Sequence, residues 1–225
     1  MGNINIDLKR ISIEEYGQIL RDGPLLPGRM ALKEDVDLKI MKLKKVGVEN
    51  LEDLVERTKN KRRVEELSAS TGISEGYLVI LRREVNSLRP RRSNLSDIPG
   101  IDIILVDELG RMGITRTDQL LERSVTEKER LMLARTIAVT PTAILELVKL
   151  SDLLRINGVG PAFARIIYLT GKDTVEKVAL VDPEELYERI IAVNKAELLT
   201  KANVGVKDVE YCIRFARMLP KAITY

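Results

Sequence analysis

The 225-residue sequence predicts an all-α fold made of tandem copies of one small helical unit. A 66-residue shift lays Val46-Gly47-Val48 on Met112-Gly113-Ile114 and Leu54-Val55-Glu56-Arg57-Thr58 on Leu120-Leu121-Glu122-Arg123-Ser124, without a gap. The same shift carries Ile73-Ser74 to Val139-Thr140 and Leu88-Arg89 to Leu154-Arg155. Within each copy, apolar residues recur at helical spacing behind capping residues, and nothing there alternates with period two.

A third copy follows at an offset of 58, with Ile98-Pro99-Gly100-Ile101 matching Ile156-Asn157-Gly158-Val159 and Gly113 matching Gly171. Beyond Gly171 it carries an insertion of roughly nine residues. The organisation read from this is an N-terminal extension over 1–24 and copies over 25–92, 95–155 and 154–225. Arg89-Pro90-Arg91-Arg92-Ser93-Asn94 has the composition of a linker, whereas Leu147 runs into Ile156 unbroken, so copies two and three should form one body.

The elements follow in order. Asn3-Ile4-Asn5-Ile6-Asp7-Leu8 alternates as a strand would, and Ser12-Ile13-Glu14-Glu15 reads as a capping box opening a helix to Leu20. Val36, Ile40 and Leu43 share a face of a helix over 33–46, which Gly47 can end as its C′ residue. Asn50 caps 51–58, Arg62 to Ala69 forms the next helix, and Ser74 caps 75–88. Thr140-Pro141 opens a helix in the second copy, and Asp182-Pro183-Glu184-Glu185 opens one in the third.

Composition narrows the function. With no histidine, the chain lacks the side chain that most readily moves protons near neutral pH. One cysteine and no histidine leave no zinc-type ligand set, and the carboxylates follow no EF-hand or other recognisable metal spacing. A Gly-x-x-x-x-Gly-Lys-Ser/Thr loop is missing as well. The expectation is a protein that is not an enzyme and needs no cofactor. The lone Cys212 excludes an internal disulfide, fits ordinary packing on a helix, and suits a reducing cytosol. No stretch approaches the ~20 apolar residues of a membrane span, and the first residues lack signal-peptide character, so a cytoplasmic location without membrane contact is expected.

Charge is uneven. Residues 1–94 hold 19 basic against 15 acidic side chains, a net of +4, while 95–155 carry −2 and 156–225 carry +1. The basic excess concentrates in Lys42, Lys44 and Lys45, in Lys59, Lys61, Arg62 and Arg63, and in Arg82, Arg83, Arg89, Arg91 and Arg92. Charge runs on helices are usually solvated faces, and here Glu56, Glu65 and Glu66 are interspersed.

The stretch Leu154-Arg155-Ile156-Asn157-Gly158-Val159-Gly160-Pro161-Ala162-Phe163-Ala164-Arg165-Ile166-Ile167 resembles a helix-hairpin-helix motif. The turn should present N–H groups at a helix N-terminus, where the dipole favours an anion such as phosphate. Gly158, Val159 and Gly160 would supply those groups, with Arg155, Arg165 and Lys172 as nearby cations. Binding through phosphate would be sequence-independent and salt-sensitive. The other copies are degenerate. Asp102 stands where the second glycine belongs and would repel phosphate, whereas Gly28-Arg29 lacks that glycine but is compatible with an anion.

Leu150 to Pro161, Asp173-Thr174-Val175-Glu176-Lys177-Val178-Ala179 and the closing Ala216-Arg217-Met218-Leu219-Pro220 resemble a prokaryotic family known as domain of unknown function 4332. The resemblance covers about 95–225 well and 25–94 through the internal repeat. It implies a small helical fold with two hairpins per domain and, by analogy with hairpin arrays of DNA-repair proteins, contact with DNA. It brings no catalytic residues. The expected partner is therefore double-stranded DNA. The alternative is a protein-interaction scaffold without nucleic-acid contact, which the near-neutral charge of 95–225 favours.

Overall fold

A computed structural model describes residues 4–89 and 92–225, so Pro90 and Arg91 of the expected linker lie outside the described residues, as do the first three residues. The chain forms two compact units: Asp7–Arg89, and a second that joins residues 4–6 to residues 92–225. Both are helical. Among the described residues there is no strand, only two isolated bridges, Ser12↔Asn50 and Asn94↔Arg116.

In the first unit α1 (Ile13–Asp22) leads through a 3-10 turn (Pro27–Lys33) to α2 (Val36–Lys45), α3 (Leu51–Arg57), α4 (Lys61–Thr71) and α5 (Glu75–Asn86). The second has a short 3-10 turn (Leu95–Asp97), then α6 (Ile103–Arg111), α7 (Thr117–Glu122), α8 (Glu127–Thr136) and α9 (Pro141–Leu153). It continues as α10 (Pro161–Leu169), α11 (Val175–Leu180), α12 (Pro183–Glu197) and α13 (Val206–Met218).

Helix starts recur with the sequence. Those of α3, α4 and α5 reappear 66 residues later as α7, α8 and α9, and those of α6 and α7 reappear 58 later as α10 and α11. The third-copy insertion lengthens α12 to 15 residues and adds the segment before α13. The caps are local and largely as the sequence predicts. Asn50, Asn60, Ser74, Thr126, Thr140 and Thr174 each accept a hydrogen bond from the third amide of the helix they open. Ser12 and Glu15 form the reciprocal capping box of α1.

Core positions repeat too. Leu43, Leu109 and Ile167 stand in register and are at most 1% exposed, and Leu54, Leu120 and Val178 are fully buried. Where α3 and α7 end, Thr58 and Ser124 each donate from Oγ to the carbonyl four residues back, at 2.6 Å in both cases. A buried hydroxyl there is satisfied by a carbonyl that the helix end leaves free.

The extension expected over 1–24 does not stand apart. Residues 4–6 belong to the second unit, while α1 packs on α2 within the first. The helices approach closely at Gly17, where an added Cβ would lie 2.9 Å from Ile40 Cγ1. The backbone shows why the first copy begins earlier than Leu26. Ile13 N–H donates to Glu49 O and Leu51 N–H to Ile11 O, just as Leu95 N–H donates to Thr115 O and Thr117 N–H to Ser93 O. Residues 11–13 therefore occupy in copy one the place of 93–95 in copy two. In copy three the corresponding amide, that of Val175, meets the Asp152 carboxylate instead, at 3.4 Å.

The alternating segment at the N-terminus is not a strand. Ile4, Ile6 and Leu8 are nonetheless buried, at 8%, 7% and 3% exposure. Burial of alternate apolar residues needs no paired partner strand, and that is how the pattern misleads.

One backbone departure gives a stability prediction. Gly72 ends α4 in the left-handed region at φ 65°, and its counterpart after α8, Ala138, sits at φ 56°. A side chain there costs ~1–2 kcal/mol, against ~0.5–1 kcal/mol of extra chain entropy for glycine. Ala138→Gly should therefore stabilise the fold by about 0.5–1 kcal/mol in chemical denaturation. A lower midpoint would contradict this account of the turn.

Candidate nucleic-acid interface

Helix α9 ends by tightening. Arg155 N–H donates to Asp152 O and Ile156 N–H to Leu153 O, at 3.1 and 3.0 Å. The chain then turns through Asn157–Gly160 into α10. Gly158 takes φ 89°, a region that a side chain disfavours, and an added Cβ would touch Cys212 Sγ at 3.6 Å and the Tyr211 ring. Gly160 differs. Its φ of −93° suits any residue, and nothing lies within 4 Å of where its Cβ would be. Its lack of a side chain leaves the start of α10 open to solvent.

The turn's amides divide into used and unused. Val159 N–H donates to Ile156 O at 3.1 Å, so this residue offers no donor. Gly158 and Gly160 are exposed, and among the described residues no acceptor meets their N–H groups or those of Ala162 and Phe163. Pro161, with no N–H, fills the first helical position. The available donors are thus Gly158 and Gly160, as the sequence suggested, with Ala162 and Phe163 further into the helix. The equivalent start of α6 is closed: Asp102 Oδ1 accepts from Ile104 N–H at 2.9 Å.

A family model described as a domain of unknown function (DUF4332) matches residues 99–219, more than half of the chain. The chain belongs to this family. No curated protein and no solved structure matches it. The DUF4332 match spans the second and third copies together, including the open turn and its closed counterpart.

The expected cations are placed otherwise than the sequence suggested. Arg155 is 3% exposed: its guanidinium pairs with buried Asp152, and donates from Nε to Ile4 O (3.0 Å) and from Nη2 to Pro220 O (2.6 Å). Arg165 is 7% exposed and joins two copies, donating from Nε to Pro99 O (2.7 Å) and from Nη1 to Glu146 Oε1 (2.5 Å). Both are internal fasteners, although Arg165 Nη2 is buried without a hydrogen-bond partner among the described residues, and a guanidinium buried and paired this way is withdrawn from an outside phosphate. Lys172, at the far end of α10, pairs with Glu185 at 3.3 Å.

In the first unit Arg29 is bound at 3.2 Å to Glu84, whose own exposure is 3%. Gly28 lies in the Pro27–Lys33 turn rather than in a hairpin, with open space around it. Arg62 pairs with Glu66 at 2.9 Å and Arg63 with Glu56 at 3.2 Å. These two line a groove of about 860 Å³ with Gly47, Arg57, Lys59 and Asn60, in which Asp53, Glu56 and Glu66 offset most of the positive charge. Exposed ion pairs of this kind are weak and can exchange partners.

Beside the DUF4332 turn, Cys212 Sγ lies 3.8 Å from Asn157 O, to which its S–H donates. Burial, with Asp208 as a smaller contribution, pushes its pKa up to about 12. The native thiol should stay unreactive toward an aromatic disulfide reagent at mildly alkaline pH and react at once in denaturant. Rapid native labelling would mean that α13 does not cover the turn as described. Among the described residues no helix is long and apolar enough to cross a membrane, and no group of three metal-ligating side chains occurs.

Proposed function

We propose that this chain is a non-catalytic, sequence-independent nucleic-acid-binding protein, and that α9, the 157–160 turn and α10 act as a helix-hairpin-helix unit on backbone phosphate. The observation that carries this reading is the open start of α10, where the N–H groups of Gly160, Ala162 and Phe163 meet no acceptor among the described residues. Such a terminus favours an anion through its dipole and its free donors. With Arg155 and Arg165 turned inward, contact would depend on main-chain donors and be weak at any one turn. A cytoplasmic setting and a DNA duplex as the ligand belong to the same proposal.

Fluorescence anisotropy with a short labelled duplex across a salt series tests it. Binding should appear at low salt and fall with a shallow log–log slope, on the order of one to two, because few phosphates are neutralised. Gly160→Asp, which recreates the closed turn of copy two, should weaken binding about tenfold while leaving the melting temperature unchanged. The variant is sterically harmless, given the backbone angle and open space at Gly160. No binding at low salt, or equal binding by the variant, removes the proposal.

One observation favours a second reading, a protein-interaction scaffold. Ile103 and Ile104 are 62% and 64% exposed at the start of α6, directly beyond the Asp102 cap. A carboxylate followed by two bare isoleucines suits an apolar partner better than phosphate. Failure of the duplex titration would leave this reading in front.

A further inference from the structure

After α13 the chain turns at Leu219–Pro220 and runs back along α8 and α9. The returning segment is held in the way a bound peptide is held. Thr224 N–H donates to Val125 O at 2.9 Å, and Arg130 Nη2 donates to Thr224 O at 2.7 Å, so both backbone groups of one residue are read. Ile223 is 1% exposed. Tyr225 donates from its hydroxyl to Asp152 Oδ2 at 2.9 Å, and its ring centre lies 5.9 Å from the Arg130 guanidinium and 5.8 Å from Lys149 Nζ.

The internal repeat shows that the receiving side chains are special to this place. Arg130 stands where the first copy has Val64, a core residue at 2% exposure, and Asp152 stands where it has Asn86. In the first copy the Thr58 carbonyl at the end of α3 is met by Arg82, whose counterpart is Val148. In the second, Arg130 serves the equivalent Ser124 carbonyl (3.1 Å) and also reaches Val125 O and Thr224 O. Arg130 thus takes over in copy two the capping that Arg82, whose counterpart is Val148, performs in copy one, and adds a bond to Thr224 O. The tail contact is what distinguishes it.

We propose that Val125, Arg130, Lys149 and Asp152 form a groove for an extended Ile-Thr-Tyr peptide, filled by the chain's own tail and, on exchange, by the tail of a second copy. Main-chain hydrogen bonds supply affinity and the Ile and Tyr seats supply selectivity. Exchange of such a segment between identical chains is a low-cost route to a dimer.

The test uses the full chain and a fluorescein-labelled peptide of residues 218–225. Tyr225→Ala weakens the resident tail and leaves the groove intact, so this variant should bind the peptide at least about tenfold more tightly than the wild type. The same peptide with alanine for its tyrosine should lose that gain. Sedimentation should show a dimer fraction that rises with wild-type concentration and drops in Tyr225→Ala. Equal binding of the two peptides, or no binding by a folded Tyr225→Ala chain, overturns the groove; a wild type that stays monomeric at every concentration overturns the exchange.

Discussion

Replacing Arg155 with alanine should cost about 3–5 kcal/mol in urea denaturation followed by far-UV circular dichroism, the range for removing one partner of a buried ion pair. Its side chain and that of Asp152 are 4% and 2% exposed, so little water reaches either charge. Among the described residues, the substitution leaves the Asp152 carboxylate with the Tyr225 hydroxyl and the distant Val175 amide. It also removes the donors to Ile4 O and Pro220 O, which tie segments far apart in sequence to the end of α9. The bond to Pro220 O is part-buried, so some of its loss is recoverable by water, whereas the bond to Ile4 O is buried. A cost below about 0.5 kcal/mol, the size of an ordinary surface change, would show that the pair is not desolvated as described.

Leu147→Ala should cost about 2–5 kcal/mol by the same measurement, through lost apolar transfer and the cavity left behind. Leu147 is fully buried on α9, the helix against which α7, α8 and α10 all pack. Three helices anchored on one element cannot all close into a single gap, so the site should relax poorly and the cost should fall in the upper half of that range. Leu180→Ala provides the control: at 86% exposure it should change stability by no more than ~0.5 kcal/mol. Similar losses at the two leucines would contradict the placement of α9 at the centre of its unit.

Much of the helical pattern is legible residue by residue. Asn50, Ser74, Thr140 and Asp182 each announce a helix start because capping involves a side chain and amides only two or three positions away. Gly47 and Gly158 announce turns because their left-handed backbone penalises any side chain. Asp102 was expected to repel phosphate; its further role, accepting from Ile104 N–H two residues on, is equally local but was not foreseen. The third-copy turn is legible as a bend, but not which of its amides stay open: Val159 looked available and is used, and Ala162 and Phe163 were overlooked.

The arginines are another matter. Nothing near Arg165 in sequence signals Pro99 O or Glu146, and nothing near Arg155 signals Ile4 O or Pro220 O. The i, i+3 spacing of Asp152 and Arg155 was the one available clue that this guanidinium already had a partner. Likewise the N-terminal alternation of isoleucines reports burial and cannot say whether a strand or an irregular segment provides it. Arg130 carries no signal until it is set beside Val64.

The repeat, the all-helical character and the positions of most caps and turns thus follow from the chain read alone, since each rests on interactions spanning a few residues or on copies of one pattern. Which charges face solvent and where the first copy begins were decided by folding. Those properties depend on atoms that meet only when segments tens to more than a hundred residues apart are brought together, and a buried charge takes whichever carbonyl or carboxylate that meeting supplies.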